Sequence, residues 1–463
     1  KTRLAGDPLQ GSSMADVAKV TDTLNNGTSV NIQTDNLTGP NDNSITITNA
    51  IRKTSGGDVA LRLKATGAIN INADITSETP APAATPTGKL SLEVTSDTNK
   101  TAGGSVSVAS GTSIKTLGGS VKIGGGLVDS SGVGFANSQS AGEAGITLNG
   151  VTIDTRVDPA GAPGTAGGNV EMAGSTTADA AGVLLAGSTI QTGTGKLTLI
   201  GKSTGSNAAV AKGLKIDGGS SITTRTVELR TDTIDLAGQI TGDNDPAGYA
   251  KVWTLSDGRA INFGTGTGGL DLAGNTFSGS GKITNFYKNI VGDASQKANI
   301  TVGGVTSDSD LELNTGAGTM AVSGTVDVAS GHALTLASKG QVAGMGKITT
   351  DALRLDAADA EVSLTGANAV KNVDGKAKKL TLKNSGNLAV GAETGLVTGA
   401  GGADIDVAGD LTVGGTTPLT GGAVALKNGA GALKLKASGT LAVKDGAQIA
   451  STGAADTAFE ANS

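Results

Sequence analysis

The stretch GITLNGVTIDT, residues 145–155, returns as GVLLAGSTIQT at 182–192 and, one residue longer, as GLKIDGGSSITT at 213–224. The copies begin 37 and 31 residues apart, so a unit recurs while the segments between units change length, as in a solenoid. Each copy sets apolar residues two apart (Ile146 and Leu148, Val183 and Leu185, Leu214 and Ile216). It then breaks at Gly150, Gly187 or Gly218–Gly219 and turns one more isoleucine, Ile153, Ile190 or Ile222, to the same interior. Alternation over four or five residues describes a half-buried strand, and glycine supplies the dihedrals of a corner. The predicted unit is strand, corner, strand.

The same pattern extends to both sides. Upstream lie TSVNIQ from Thr28, SITIT from Ser44, VALRLKA from Val59, AININ from Ala68, the strand from Leu90, SVSVASGTSIKT from Ser105 and SVKIGG from Ser120. Downstream lie TMAVSGTVDVAS from Thr319, HALTLAS from His332, NLAVG from Asn387, DLTVGG from Asp410 and ALKLKASGTLAVKDGAQIAST from Ala432. Two stretches differ. Between Ser12 and Leu24 the period becomes helical, with Ser13 and Asp16 in a capping-box pattern and Val17, Val20 and Leu24 on one face; a short helix covering the first coil is predicted. From Gly242 to about Gly304 the texture is irregular and holds six of the eight aromatic residues. The segment Glu78–Gly88 carries three of the nine prolines and is expected to be a surface loop, because proline cannot donate to a ladder.

Strands of this length at roughly 20 residues per turn are best satisfied by a parallel β-helix, in which each coil pairs with the next. At about 4.8 Å per coil, some two dozen coils would make a rod on the order of 100 Å long. Ordering a backbone residue costs roughly 1–2 kcal/mol, whereas an inward Val, Leu or Ile returns about 1.5–3. One coil therefore cannot fold alone. The expected fold is all-β, a parallel β-helix with a short N-terminal helix. Its expected segments are 1–27 (N-terminal arm and capping helix), 28–241 (β-helix), 242–304 (irregular, aromatic-containing coil or junction), 305–454 (β-helix) and 455–463 (tail).

Composition narrows the function classes. Seventy-four glycines, 2% aromatic residues and no cysteine in 463 residues suit a narrow stacked interior without disulfides or thiolate metal sites. A net charge of −6 with scattered basic residues argues against a nucleic-acid track or a polybasic membrane patch. No apolar run approaches the roughly 18–20 residues of a membrane span, so no membrane insertion is expected. The chain starts at Lys1 without a signal peptide, which is expected of a fragment or of a protein whose leader has been removed.

Several stretches resemble the filamentous-haemagglutinin and high-molecular-weight adhesin family of bacterial two-partner secretion: LNNGTSVNIQT (Leu24–Thr34), SGGDVALRLKATGAININADITS (Ser55–Ser77), SVSVASGTSIKTLGGSVKIGGG (Ser105–Gly126), GITLNGVTIDT and GRAINFGTGTGGLDL (Gly258–Leu272). The resemblance implies a right-handed β-helix, export through an outer-membrane secretion partner, and work as an adhesin or extracellular fibre at the surface of a bacterium. The Asn-Pro-Asn motifs usual in that family's secretion domain are missing here, which the resemblance would explain by a downstream or matured part of a longer protein.

Candidate chemistry is sparse. The only histidine, His332, stands at a corner with no carboxylate beside it in the sequence. Gly201-Lys202-Ser203-Thr204-Gly205 matches a nucleophile-elbow pattern, but no helix pattern follows it. Gly264, Gly266 and Gly269 match a dinucleotide pattern, yet they lead into the strand LDL, which has no helix N-terminus to hold a phosphate. Asp243, Asn244 and Asp245 begin like a calcium loop, but Ala247 and Thr254 stand where ligands belong, and Asp308 with Asp310 is equally bare. Asn26, Asn36, Asn99 and Asn299 lie in Asn-x-Ser/Thr triplets that turn chemistry alone accounts for.

The expectation is therefore no catalytic, metal or cofactor site. The chain is read as a non-enzymatic secreted rod acting in surface adhesion or as the subunit of an extracellular fibre or matrix. A host or matrix surface receptor and head-to-tail self-association are its expected partners, and nucleic acid is not. Two alternatives stand beside it: the stalk of a contact-dependent toxin-delivery exoprotein, and a carbohydrate-active β-helix enzyme, which would need clustered carboxylates on one face.

Overall fold

Seven isoleucines, Ile51, Ile75, Ile114, Ile153, Ile190, Ile222 and Ile240, stand in register on consecutive parallel strands. All are buried. Three of them are the inward isoleucines of the repeated phrase, and the stack extends them by three coils upstream and one downstream. The computed structural model that shows this describes residues 16–34, 43–79, 87–100, 103–128, 132–161, 164–264, 268–415, 424–453 and 455–462. The chain forms two compact units, Lys1–Tyr249 and Ala250–Ser463.

The first unit is a parallel β-helix with three faces. One face is a seven-stranded sheet whose strands start at residues 45, 69, 106, 146, 183, 214 and 234. The second carries the isoleucine stack. The third aligns Leu61, Leu92, Val121, Val170, Leu197 and Val227, with Leu63, Val94, Ile123, Met172, Leu199 and Leu229 one step along. The starts on the first face lie between 20 and 40 residues apart, so in this unit the expected 20 residues per coil holds only for the shortest coil. The surplus leaves at corners. One such excursion forms an antiparallel hairpin, Leu127–Val128 with Gly134–Ser138, which the sequence pattern did not foreshadow.

Corners are closed by buried polar side chains. Two residues beyond the stacked isoleucine stand Lys53, Ser77, Thr116, Thr155, Thr192 and Thr224, all buried. The threonine hydroxyls donate to carbonyls across the corner: Thr116 to Gly119 at 2.6 Å, Thr155 to Gly168 at 2.6 Å and Thr192 to Gly195 at 2.8 Å. Lys53 does the same with three donors, its Nζ reaching the carbonyls of Ser55, Gly56 and Gly88 at 2.7, 3.1 and 3.1 Å. Burial lowers its pKa, opposed in part by Asp58. A buried polar group is tolerated because its donors are satisfied.

The helix is Val17–Asn25 (α1), shorter at its start than the Ser12–Leu24 pattern suggested. Asp16 is its N-cap, accepting from the Ala18 N–H at 3.0 Å; Ser13 and the arm before it lie outside the described residues. Val20 and Leu24 are buried. The Asn25 side chain accepts from the Thr54 and Ser55 N–H groups at 2.7 and 3.2 Å, which latches α1 onto the corner of the first coils. Much of the proline segment Glu78–Gly88 is likewise outside the described residues. No described helix is long and apolar enough to cross a membrane.

The second unit repeats the architecture. Ile261, Ile300, Met320, Val342 and Val362 align on one face. Val291, Leu313, Leu336 and Leu355 align on another. The phenylalanines of the irregular stretch are core material here: Phe263, Phe277 and Phe286 are fully buried, and the first two rings lie 6.3 Å apart. The ladder Ile348–Asn384 runs for 37 residues without a break, turning its corners on asparagine. Asn368 donates to the carbonyls of Leu364, Gly366 and Lys383, and Asn384 to those of Val370 and Gly386.

Register makes a sharp prediction. Leu199 is fully buried between Met172 and Leu229, whereas Lys202, three residues on, is exposed. Leu199→Asp is expected to destabilise by roughly 3 kcal/mol or more, because it buries an unpaired carboxylate, and Lys202→Ala by under about 0.5. Denaturant unfolding of the two variants checks this, and equal effects would overturn the register.

Candidate functional site

The lone histidine does have a carboxylate beside it, supplied by the preceding coil. The turn Ala329–His332 closes with the His332 N–H donating to the Ala329 carbonyl, and Gly331 takes φ +87°, a conformation open to glycine. This delivers His332 to the start of the strand Ala333–Ala337. The pairing of Leu311 with Leu334 and of Ala333 with Ala352 then stacks Asp310, His332 and Asp351 at one corner, with Tyr287 just ahead of the strand Lys288–Gly292. Asp310 Oδ1 lies 3.2 Å from His332 Nδ1 and accepts from the Ala333 N–H at 2.9 Å.

Two more charged groups complete the arrangement. Arg354 places Nη2 3.2 Å from Glu393 Oε2 and Nη1 3.8 Å from Asp310 Oδ2. Glu393 sits in a turn held by Asp374, whose buried carboxylate accepts from the N–H groups of Glu393, Thr394 and Gly395 at 3.1, 2.9 and 3.0 Å. Asp351 is gripped by Lys371 at 2.6 Å, by the Gly331 N–H at 2.8 Å and by the Ser330 hydroxyl at 3.1 Å. Tyr287, Asp310, His332, Asp351, Arg354 and Glu393 line a groove of about 440 Å³. Carboxylates that stand singly along the sequence are thus gathered by stacking, since Asp310, Asp351 and Glu393 come from different coils. A periodicity count that projected them onto one corner would have found them.

The other candidates are placed elsewhere. Asp243 and Asp245 are committed to Arg225, at 2.9 and 3.1 Å, which supplies the positive charge that a calcium ion would otherwise bring. Asp308 accepts from the Gly279 N–H. Ser203 donates its hydroxyl to the Ala180 carbonyl at 2.9 Å, and Gly201 is needed for packing, because a Cβ there would meet the Gly213 carbonyl. Gly264 follows the strand Ile261–Phe263 and Gly269 precedes the strand Leu270–Leu272, while Gly266 lies outside the described residues. Asn26 caps α1 and Asn299 accepts from the Thr319 N–H; Asn36 is not among the described residues. Among those residues, no group of three or more His, Cys, Asp and Glu side chains is placed to hold a metal ion. Compared with family models, curated proteins and solved structures, the chain matches none.

One carboxylate of the groove is electrostatically tuned. The hydrogen bond from Lys371, with those from Gly331 and Ser330, holds Asp351 below its ordinary value against a smaller opposing effect of burial. Its contribution to stability is accordingly present above the unfolded carboxylate pKa of about 3.9 and is lost as pH falls through the lower folded value. Lys371→Met is expected to move the Asp351 midpoint upward in a carboxyl NMR titration. An unmoved midpoint would mean that Lys371 is not the principal cause.

Proposed function

We propose that this chain is a non-enzymatic, exported β-helical protein that acts in surface adhesion or as the subunit of an extracellular fibre or matrix. The observation that carries the reading is the in-register parallel stacking of short strands in each unit, an architecture that grows by adding coils; in the last described coil two apolar side chains lie open. Val443 and Phe459 are 48% and 52% exposed, whereas the residues they stack on, Val413 and Leu435, are 0% and 1% exposed. A further coil laid on this one would bury both side chains and pair the open strand edges. At the other end of the chain the first coils carry α1, with Leu24 fully buried. In a head-to-tail contact, a heterologous arrangement that propagates into filaments, the neighbour's α1 is the element to be displaced. The stretches resembling two-partner-secretion adhesins support export to a bacterial surface with the help of an outer-membrane partner, and a host or matrix surface as the receptor.

Light scattering and electron microscopy at rising protein concentration test the fibre arm. Filaments are expected from the wild type and their loss from Val443→Lys with Phe459→Lys, which puts two charges on the open coil. Dispersed single molecules under all conditions would remove that arm and leave adhesion. No depolymerisation of neutral or acidic polysaccharides is expected, with or without Ca²⁺. Turnover that depends on Asp310 or Glu393 would favour the carbohydrate-active enzyme instead.

A further inference from the structure

We propose that the groove at Tyr287, Asp310, His332, Asp351, Arg354 and Glu393 binds a neutral saccharide. Asp310 Oδ2 and Arg354 Nη1 face each other across 3.8 Å, too far for a hydrogen bond. A hydroxyl group about 2.8 Å from each would accept from the guanidinium and donate to the carboxylate, because a hydroxyl is donor and acceptor at once. Charge selects against the alternatives. An anionic ligand would meet three carboxylates, and a cationic one would meet Arg354, which already stands between Asp310 and Glu393. A ligand rich in uncharged hydroxyls meets a matched set of donors and acceptors.

The remaining features fit the same ligand. Tyr287 is 43% exposed at the groove, which offers an aromatic face with a polar tip, suited to the C–H face of a pyranose. The volume of about 440 Å³ falls within the roughly 300–1,000 Å³ of small-molecule sites. The polar groups are held before any ligand arrives: Asp310 by the Ala333 N–H, Asp351 by Gly331 and Lys371, and the Glu393 turn by Asp374. Such preorganisation lowers the cost of binding. The inference gives the adhesive reading a ligand class and rests on that reading for its biological role.

His332 is the only histidine, so histidine-selective isotope labelling of the full chain yields a single reporter in the groove. The protein is titrated with cello-, manno-, xylo- and malto-oligosaccharides, and with oligogalacturonate as an acidic comparator. At least one neutral series is expected to shift the His332 ring signals saturably, with a Kd roughly in the millimolar range. Tyr287→Ala and Arg354→Ala should each weaken this by about tenfold or more at unchanged melting temperature, and Tyr287→Phe should retain it. The proposal is overturned if no neutral series moves the signal up to about 10 mM, if the acidic comparator binds more tightly, or if Tyr287→Ala binds like the wild type. Light scattering on the same samples reads self-association separately, so failure of the groove and failure of the fibre arm are told apart.

Discussion

Everything in this chain depends on one constraint: the apolar positions of each coil must lie directly on those of the coil before. A coil buries little by itself, and its strands lack partners. Stacked in register, the isoleucines of the first unit bury one another's side chains while the parallel ladders satisfy the backbone. The constraint acts on three short strands per coil and leaves the corners free. That is why the distance between successive coils varies twofold in the first unit without loss of register, and why added residues emerge as hairpins and loops at the surface.

Opposite charges reinforce the stacking outside the core. Arg62, Glu93, Lys122 and Glu171 alternate in sign on neighbouring strands of the first unit, and Lys383, Asp406, Lys436 and Glu460 do so in the second. Arg62 meets Glu93 at 2.9 Å and Lys122 meets Glu171 at 3.0 Å. Each exposed pair contributes only roughly 0.2–1 kcal/mol. Their value lies more in specificity, because pairing a coil with the next but one would set like charges side by side.

Much of this was legible in the residues, and the gaps have physical causes. Alternating aliphatics and glycine corners marked Ile146–Asn149, Val183–Ala186 and Leu214–Ile216, and the structure has strands at all three. The long ladder Ile348–Asn384 went unmarked because its corners are closed by Asn368 and Asn384 side chains, so the glycine signal is weak there. The start of α1 was placed early because Ser13 and Asp16 both suit an N-cap, and the geometry uses Asp16. The stretch from Gly242 to about Gly304 was read as an elaborated coil or a junction, and its phenylalanines Phe263, Phe277 and Phe286 are buried in the core.

The groove was invisible for a related reason. Sequence motifs for catalysis and binding are local, whereas a β-helix builds its surface from residues about one coil apart. Asp310, His332, Asp351 and Glu393 share no short motif, yet the pairing of Leu311 with Leu334 and of Ala333 with Ala352 brings the first three to one corner. Because the core fixes that register, a corner residue can change without disturbing the stack, as the succession of lysine, serine and threonine at the isoleucine corner already shows. In such a fold the inward positions carry stability, and the corners are free to carry recognition.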